Sequence, residues 1–203
     1  MAKKEREYSG RALMAASRYQ DYLPTIPQAD QDRVAARVDE LIADNQEYCD
    51  QGNYDHLANM LTALALYELW RERGLSEDEA IQATGEPMWA FVEKTTAGTY
   101  RKLLSKPGML KLMSRIVPAG FKKGSGYGWS YVWHQDKSTT KYLQFECTSC
   151  IYAQILGKYG IRKLGTIFCH ADDVNYGSIP GVTFTRNHTL CKDGQPCDFL
   201  FTK

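Results

Sequence analysis

The stretch "KKGSGYGWSYVWH", Lys122 to His134, decides the fold, because the repeat of apolar residues changes within it. Ahead of it apolar residues recur at helical spacing. From Trp129 onward, Trp129, Tyr131 and Trp133 alternate with Ser130 and Val132, the period of two that sends successive side chains to opposite faces of a strand. "KYLQFEC", Lys141 to Cys147, keeps that period, with Leu143, Phe145 and Cys147 on one face and Tyr142, Gln144 and Glu146 on the other. Two antiparallel strands are predicted.

Upstream, Val34, Val38, Leu41 and Ile42 mark one helix, and Leu57, Met60, Leu61, Leu64, Leu66, Leu69 and Trp70 another that Gly74 stops. Ser76 with Glu79 reads as a capping box. Pro87 is predicted to restart a helix carrying Trp89, Val92, Tyr100 and Leu103, which breaks at Pro107-Gly108; a short helix, Met109 to Ile116, then ends before Pro118. Downstream, "SCIYAQILGKYG" reads as a helix with Ile151, Ile155, Leu156 and Tyr159 inward, closed by Gly160. "KLGTIFCHADD" reads as a second helix, with strand as the alternative for its apolar run. "VTFTRNHTL" and "CDFLF" form a closing hairpin through Asp193-Gly194. The order strand, strand, helix, helix, strand, strand predicts an α+β fold: a helical region, residues 1–123, packed on a small four-stranded antiparallel sheet within residues 124–203, the two forming one cooperative unit.

The 203 residues, 43% of them hydrophobic, can bury on the order of 70% of the extended surface without staples. Lys plus Arg number 25 against 24 Asp plus Glu, a net charge of +1, so no broad field draws the chain to nucleic acid or a membrane surface. A small-molecule partner is expected; self-association into a homo-oligomer stays open. The opening "MAKKEREYSGRALMAAS" has only the short apolar run Ala12 to Ala16, too brief for a signal-peptide core, which predicts a cytoplasmic protein with reduced thiols. Its six cysteines, Cys49, Cys147, Cys150, Cys169, Cys191 and Cys197, are therefore packing, metal-ligating or catalytic groups before they are disulfides.

Strand alternation places Arg186 and His188 on the face of Val182 and Phe184, and Cys197 with Phe199 and Phe201. A buried guanidinium stays charged and needs a carboxylate, either from a ligand or from a neighbour such as Asp172 or Asp198. With Thr148 or Ser149 as cap, Cys150 falls in the first turn of its helix, where the positive end of the helix dipole favours a thiolate; enclosure in packing is the alternative. Cys147 and Cys150 also make a single C-x-x-C, a weak zinc signal without a second short-spaced pair, so no metal and no cofactor is expected. His134 and His170 are further proton-transfer candidates, with ordinary surface or core histidine as the alternative for each. Cys191 falls on the outward phase of its strand and is predicted to be incidental.

Cys150 with Tyr152, "FCHAD" at Phe168 to Asp172, "FTRNHTL" and "GQPCDFLF" together resemble the L-2-amino-thiazoline-4-carboxylic acid hydrolase family. The resemblance implies hydrolytic opening of 2-aminothiazoline-4-carboxylate toward N-carbamoylcysteine, a step of cysteine metabolism, by a hydrolase acting on carbon-nitrogen bonds other than peptide bonds. The residues falling on the family pattern are Cys150, Cys169, Asp172, Arg186, Thr189, Cys197 and Asp198. An amidine-like carbon needs an activated attacker, a proton donor and a clamp on the carboxylate. Cys150 or Cys169 is expected to attack or orient water, Asp172 to handle the proton, and Arg186 to hold the carboxylate, with His188, Thr189, Cys197 and Asp198 lining the substrate site. The strand, helix, strand order and the terminal "CDF" also resemble the four-vinyl-reductase type of sensory domain, which binds small molecules without catalysis.

Overall fold

The structure, a computed structural model, describes residues 6–49, 52–124, 126–134 and 141–203. Residues 1–5, at the head of the stretch read for a signal, and Ser125 within the stretch that opens the strands lie outside the described residues. The chain divides into two compact units, Met1–Phe91 and Val92–Lys203, so that helices preceding residue 124 group with the sheet.

The first unit is helical: α1 (Gly10–Ala16), α2 (Gln28–Asp44), α3 (Tyr54–Glu72) and α4 (Glu77–Val92), whose last residue belongs to the second unit. Ser9 caps α1, its Oγ accepting from the Ala12 N–H at 3.3 Å. Gly10 is obligatory there, since a Cβ would collide with the Ala35 carbonyl of α2. The capping box forms as read: the Ser76 N–H donates to Glu79 at 2.8 Å, and the Glu79 N–H donates to Ser76 Oγ at 3.3 Å. Pro87 does not restart a helix; α4 runs through it. Met88, fully buried beneath the Tyr19 hydroxyl at 4.0 Å, and the Trp89 ring lying on Gly85 supply packing that outweighs the lost backbone bond.

The second unit begins with a π-helical turn, Glu93–Ala97, followed by α5 (Gly98–Leu104) and α6 (Met109–Gly124). Here too a proline is overruled, for α6 continues past Pro118 instead of ending before it. Leu110, Met113, Val117 and Phe121 recur along α6 and lie against the sheet, and that docked face holds the helix together across the missing donor. Then come β1 (Ser130–Trp133), β2 (Tyr142–Ser149), α7 (Ile151–Lys158), a 3-10 turn at Arg162–Gly165, α8 (Thr166–Tyr176), β3 (Thr183–Thr185) and β4 (Cys197–Thr202). The α+β fold and the strand, strand, helix, helix, strand, strand order are as predicted, and "KLGTIFCHADD" is helix rather than strand.

The strands pair antiparallel in the order β1-β2-β4-β3. Register puts Leu143 opposite Phe201, Phe145 opposite Phe199 and Cys147 opposite Cys197. One face of the sheet therefore passes from aliphatic through aromatic to thiol in three rows about 7 Å apart. β3 is shorter than the alternation implied: it ends at Thr185, leaving Arg186 and His188 in the following loop, where strand phase no longer fixes their direction. Among the described residues no helix is long and apolar enough to cross a membrane.

Gly10→Ala should lower unfolding free energy by about 1–3 kcal/mol, because helix backbones must separate to admit the methyl group; urea denaturation of the purified protein measures it.

Candidate functional site

Cys147 and Cys197 face one another across β2 and β4, and each is nearly enclosed. The Cys147 thiol donates to the Ser149 carbonyl at 3.1 Å and bonds to Cys197, whose sulfur also receives the Leu190 N–H at 3.4 Å. The bond with the Cys197 thiol, and then burial, push Cys147 far above an ordinary thiol. The same bond, with the Leu190 N–H and the Arg186 charge, lowers Cys197 to about 7 against the opposing effect of burial.

Cys150 does not sit in the first turn of α7. It is itself the N-cap, with extended backbone (φ −137°, ψ 124°) and no side-chain capping bond. The reason lies upstream: β2 runs on to Ser149, which pairs with Ser130, so neither Thr148 nor Ser149 is available to cap. Ser149 instead donates to the Gly128 carbonyl at 3.1 Å.

Cys191 is the largest departure from the sequence reading. It lies outside any strand, in the turn before β4, and is buried at 5% exposure. Its thiol bonds to both Cys150 and Cys169, which raises it well above an ordinary thiol, with burial adding to the effect. Gly165 makes the room: a Cβ there would overlap the Cys191 sulfur. Cys169, midway along α8, is drawn below its ordinary range first by Cys191, then by the Arg186 charge and the Thr189 hydroxyl, against burial. Thus Cys147 and Cys191 are pushed toward the neutral thiol, and Cys197 and Cys169 toward the thiolate.

Arg186 organises the acceptors. Its side chain is 4% exposed and bonds Asp172 at 2.9 Å, Asp173 at 2.8 Å and the Cys169 carbonyl at 2.7 Å, while its guanidinium lies 5.7 Å from the Phe184 ring centre and 5.3 Å from that of Phe199. Burial works against its charge, but Asp172 and Asp173 more than offset it and hold the pKa above the usual value. The expected carboxylate from a ligand is replaced by two from α8, and Asp172 is correspondingly committed to an ion pair.

Of the remaining predicted residues, Thr189 is buried beside Cys169 and its hydroxyl also accepts the Lys192 N–H at 3.0 Å. Asp198 lies one residue out of phase with the thiols and anchors the loop after β3, accepting the Asn187 N–H at 2.9 Å and the His188 N–H at 2.7 Å. Burial opposes its charge, but these bonds keep its carboxyl below the ordinary range. His188 is half-exposed and turned to Asp193, 2.8 Å away. His134 bonds Glu146 at 3.1 Å, and His170 lies 3.6 Å from Asp173. The structure therefore brings together Cys147, Cys150, Cys169, Cys191, Cys197, Asp172, Arg186 and Thr189, and leaves His188 and Asp198 as loop contacts. Among the described residues no group of three or more His, Cys, Asp or Glu is arranged to hold a metal ion.

An open hollow of about 490 Å³ reaches this cluster at Cys191. Arg162, Lys163 and Lys192 line it against the single carboxylate of Asp193, which is already engaged with His188; Gly157, Gly160 and Gly194 keep its walls low. These cations were not singled out by sequence. Arg162-Lys163 and Lys192-Asp193 are ordinary surface pairs until the 3-10 turn and the pre-β4 turn meet.

The family described as L-2-amino-thiazoline-4-carboxylic acid hydrolase matches residues 54–201. None of the curated proteins matches the chain. A crystal structure of an Fe(II) unliganded H-NOX protein from K. algicida is similar at 14% identity over 96% of each chain with a TM-score of 0.33, a likeness too loose to carry an argument for function or for a sensory role.

Three outcomes are expected. Alkylation of Cys197 by a small thiol reagent, followed by peptide mapping, should reach half its limiting rate near the pKa of about 7. In Arg186→Gln that midpoint should move upward, since the thiolate loses a neighbouring cation. Gly165→Ala should displace the Cys191 side chain and return Cys169 toward ordinary thiol reactivity, measured as slower alkylation at neutral pH.

Proposed function

Because the chain belongs to the L-2-amino-thiazoline-4-carboxylic acid hydrolase family, we propose that it opens a small carboxylated sulfur and nitrogen ring at the amidine-type carbon, with the thiol cluster behind Cys191 as its catalytic centre. One observation carries this reading: Cys191 lines a cationic hollow and bonds to Cys169 behind it, so a thiol kept neutral and a thiol with enhanced anionic character stand together beside a surface suited to a carboxylate.

We assign the roles as follows. Arg162 and Lys192 hold the substrate carboxylate, the guanidinium fork at two points. Cys169, as thiolate, adds to the ring carbon between sulfur and nitrogen. The ring carbon–sulfur bond then breaks, and not the carbon–nitrogen bond expected from the resemblance, since N-carbamoylcysteine keeps both nitrogens on that carbon, and Cys191 passes its proton to the departing sulfur. Water adds to the resulting thiol-bound intermediate and expels Cys169, leaving the carbamoyl group. Arg186 acts behind the thiols by favouring their anionic forms, and Asp172 with Asp173 fixes it in place.

The test is direct incubation of the protein with 2-aminothiazoline-4-carboxylate, following ring opening by mass spectrometry. Wild type should yield N-carbamoylcysteine, and Cys169→Ala should lose at least a hundredfold in kcat. Arg162→Ala should raise KM about tenfold with kcat little changed, as expected for removal of ground-state binding. Absence of product from folded wild type, or full turnover in Cys169→Ala, defeats the hydrolase or the nucleophile respectively. Tight binding of the acid with release unchanged would instead favour the sensory alternative.

A further inference from the structure

A second hollow, of about 180 Å³, lies in the second unit between α6, with contributions from α5 and α8, and the apolar rows of the sheet. Leu104, Leu110 and Val117 approach from the helices, and Leu143, Phe199 and Phe201 from the strands. Nine of the eleven lining side chains are hydrocarbon or thioether, Tyr100 and Tyr176 add the hydroxyls, and none carries a charge. The hollow is partly open to solvent, so it is a cleft bordered by the apolar layer and not a sealed void.

Water is a poor occupant, because a buried water needs two to four polar partners, whereas cavities of about 150 Å³ lined by Leu, Ile and Phe stay dry and take up benzene. The walls also favour a ring. Phe145 and Phe199 are stacked with centroids 4.7 Å apart, and Tyr100 meets Tyr176 edge-on at 5.0 Å, so the hollow offers both faces and edges to an aromatic guest. A carboxylate here would give up hydration among walls that hold no cation, which disfavours the acid assigned to the thiol site.

We propose that this hollow is a binding site for a compact, uncharged aromatic molecule of about six to nine non-hydrogen atoms, the size set by comparison with benzene-binding cavities. The site stands on its own lining and does not depend on the hydrolase reading. It is separated from the Cys147 and Cys197 pair by one same-face step along the strands, and Phe199 borders both.

The full chain is titrated with toluene, indole and benzoate, followed by thermal unfolding and by protein NMR. Toluene and indole should raise the midpoint and saturate with dissociation constants on the order of 0.1–1 mM, while benzoate, of similar size but charged, should bind at least tenfold more weakly. Val117→Phe and Met113→Phe, which fill the space, should weaken toluene binding at least tenfold with the circular dichroism unchanged. In wild type, magnetisation transfer from the toluene methyl group to the methyl groups of Leu104, Leu110 and Leu143 locates the guest without any variant. No saturable response up to the solubility of toluene, no transfer to those leucines, or unaltered binding in folded filling variants would each overturn the site.

Discussion

A single buried cation, the guanidinium of Arg186, sets the conditions on which the site rests. Only 4% exposed, it cannot be satisfied by water, so the loop after β3 must come to rest where α8 supplies Asp172, Asp173 and the Cys169 carbonyl. Breaking such a pair leaves a charge stranded in a medium where it is expensive, which makes the arrangement self-enforcing even where its net contribution to stability is small. The same charge then acts on the sulfurs around it: Cys169 lies on the helix it grips, and Cys197 on the strand beyond Phe199. Structural pairing and thiol activation are one interaction viewed from two sides.

With that field in place, the thiols sort themselves by hydrogen bonding. Cysteine is a weak donor and a weak acceptor, so identical side chains become different reagents only when their environments differ. Cys147 is held by the strand register against Cys197, and Cys191 is held over Gly165 against Cys169. In each pair the first thiol is kept protonated and the second made more anionic. Environments that push paired groups in opposite directions separate acid from base, the division of labour that hydrolytic chemistry requires.

Much of this was legible in the sequence. The shift from helical to alternating period near Trp129 located the strands, and the phase of Phe145, Cys147, Cys197 and Phe199 gave the inner face, because a sheet with one buried face imposes that pattern on every strand. Pro87 and Pro118 misled, since local propensity cannot see the packing of Met88 or of Leu110 and Phe121 that carries each helix through. Cys191 was misread for a related reason. Alternation was extended through "TRNHTLC", where the chain had already left β3 and was tied down instead by Asp198 and Asp193, whose carboxylates take the backbone N–H groups of Asn187, His188 and Thr189. Arg186 was correctly marked as needing a carboxylate. Sequence could not say from where, because the answer depended on α8 presenting two acids one turn beyond Cys169.

The inner face of the sheet is therefore a chemical gradient built by register alone. Leu143 with Phe201 and Phe145 with Phe199 form rows that repel charge; Cys147 with Cys197 begins a region where charge is created and held. Phe199 stands at the boundary, one side on the apolar hollow and its ring against the Arg186 guanidinium. An aromatic ring suits that place because its apolar body is at home in the hollow while its electron-rich face accommodates the cation, at about 0.5–2 kcal/mol for such a contact. Replacing it by an aliphatic side chain would keep the hollow greasy and remove the cation's companion; replacing it by a polar one would do the reverse. The constraint at this position thus comes from both neighbours at once, and an aromatic residue answers both.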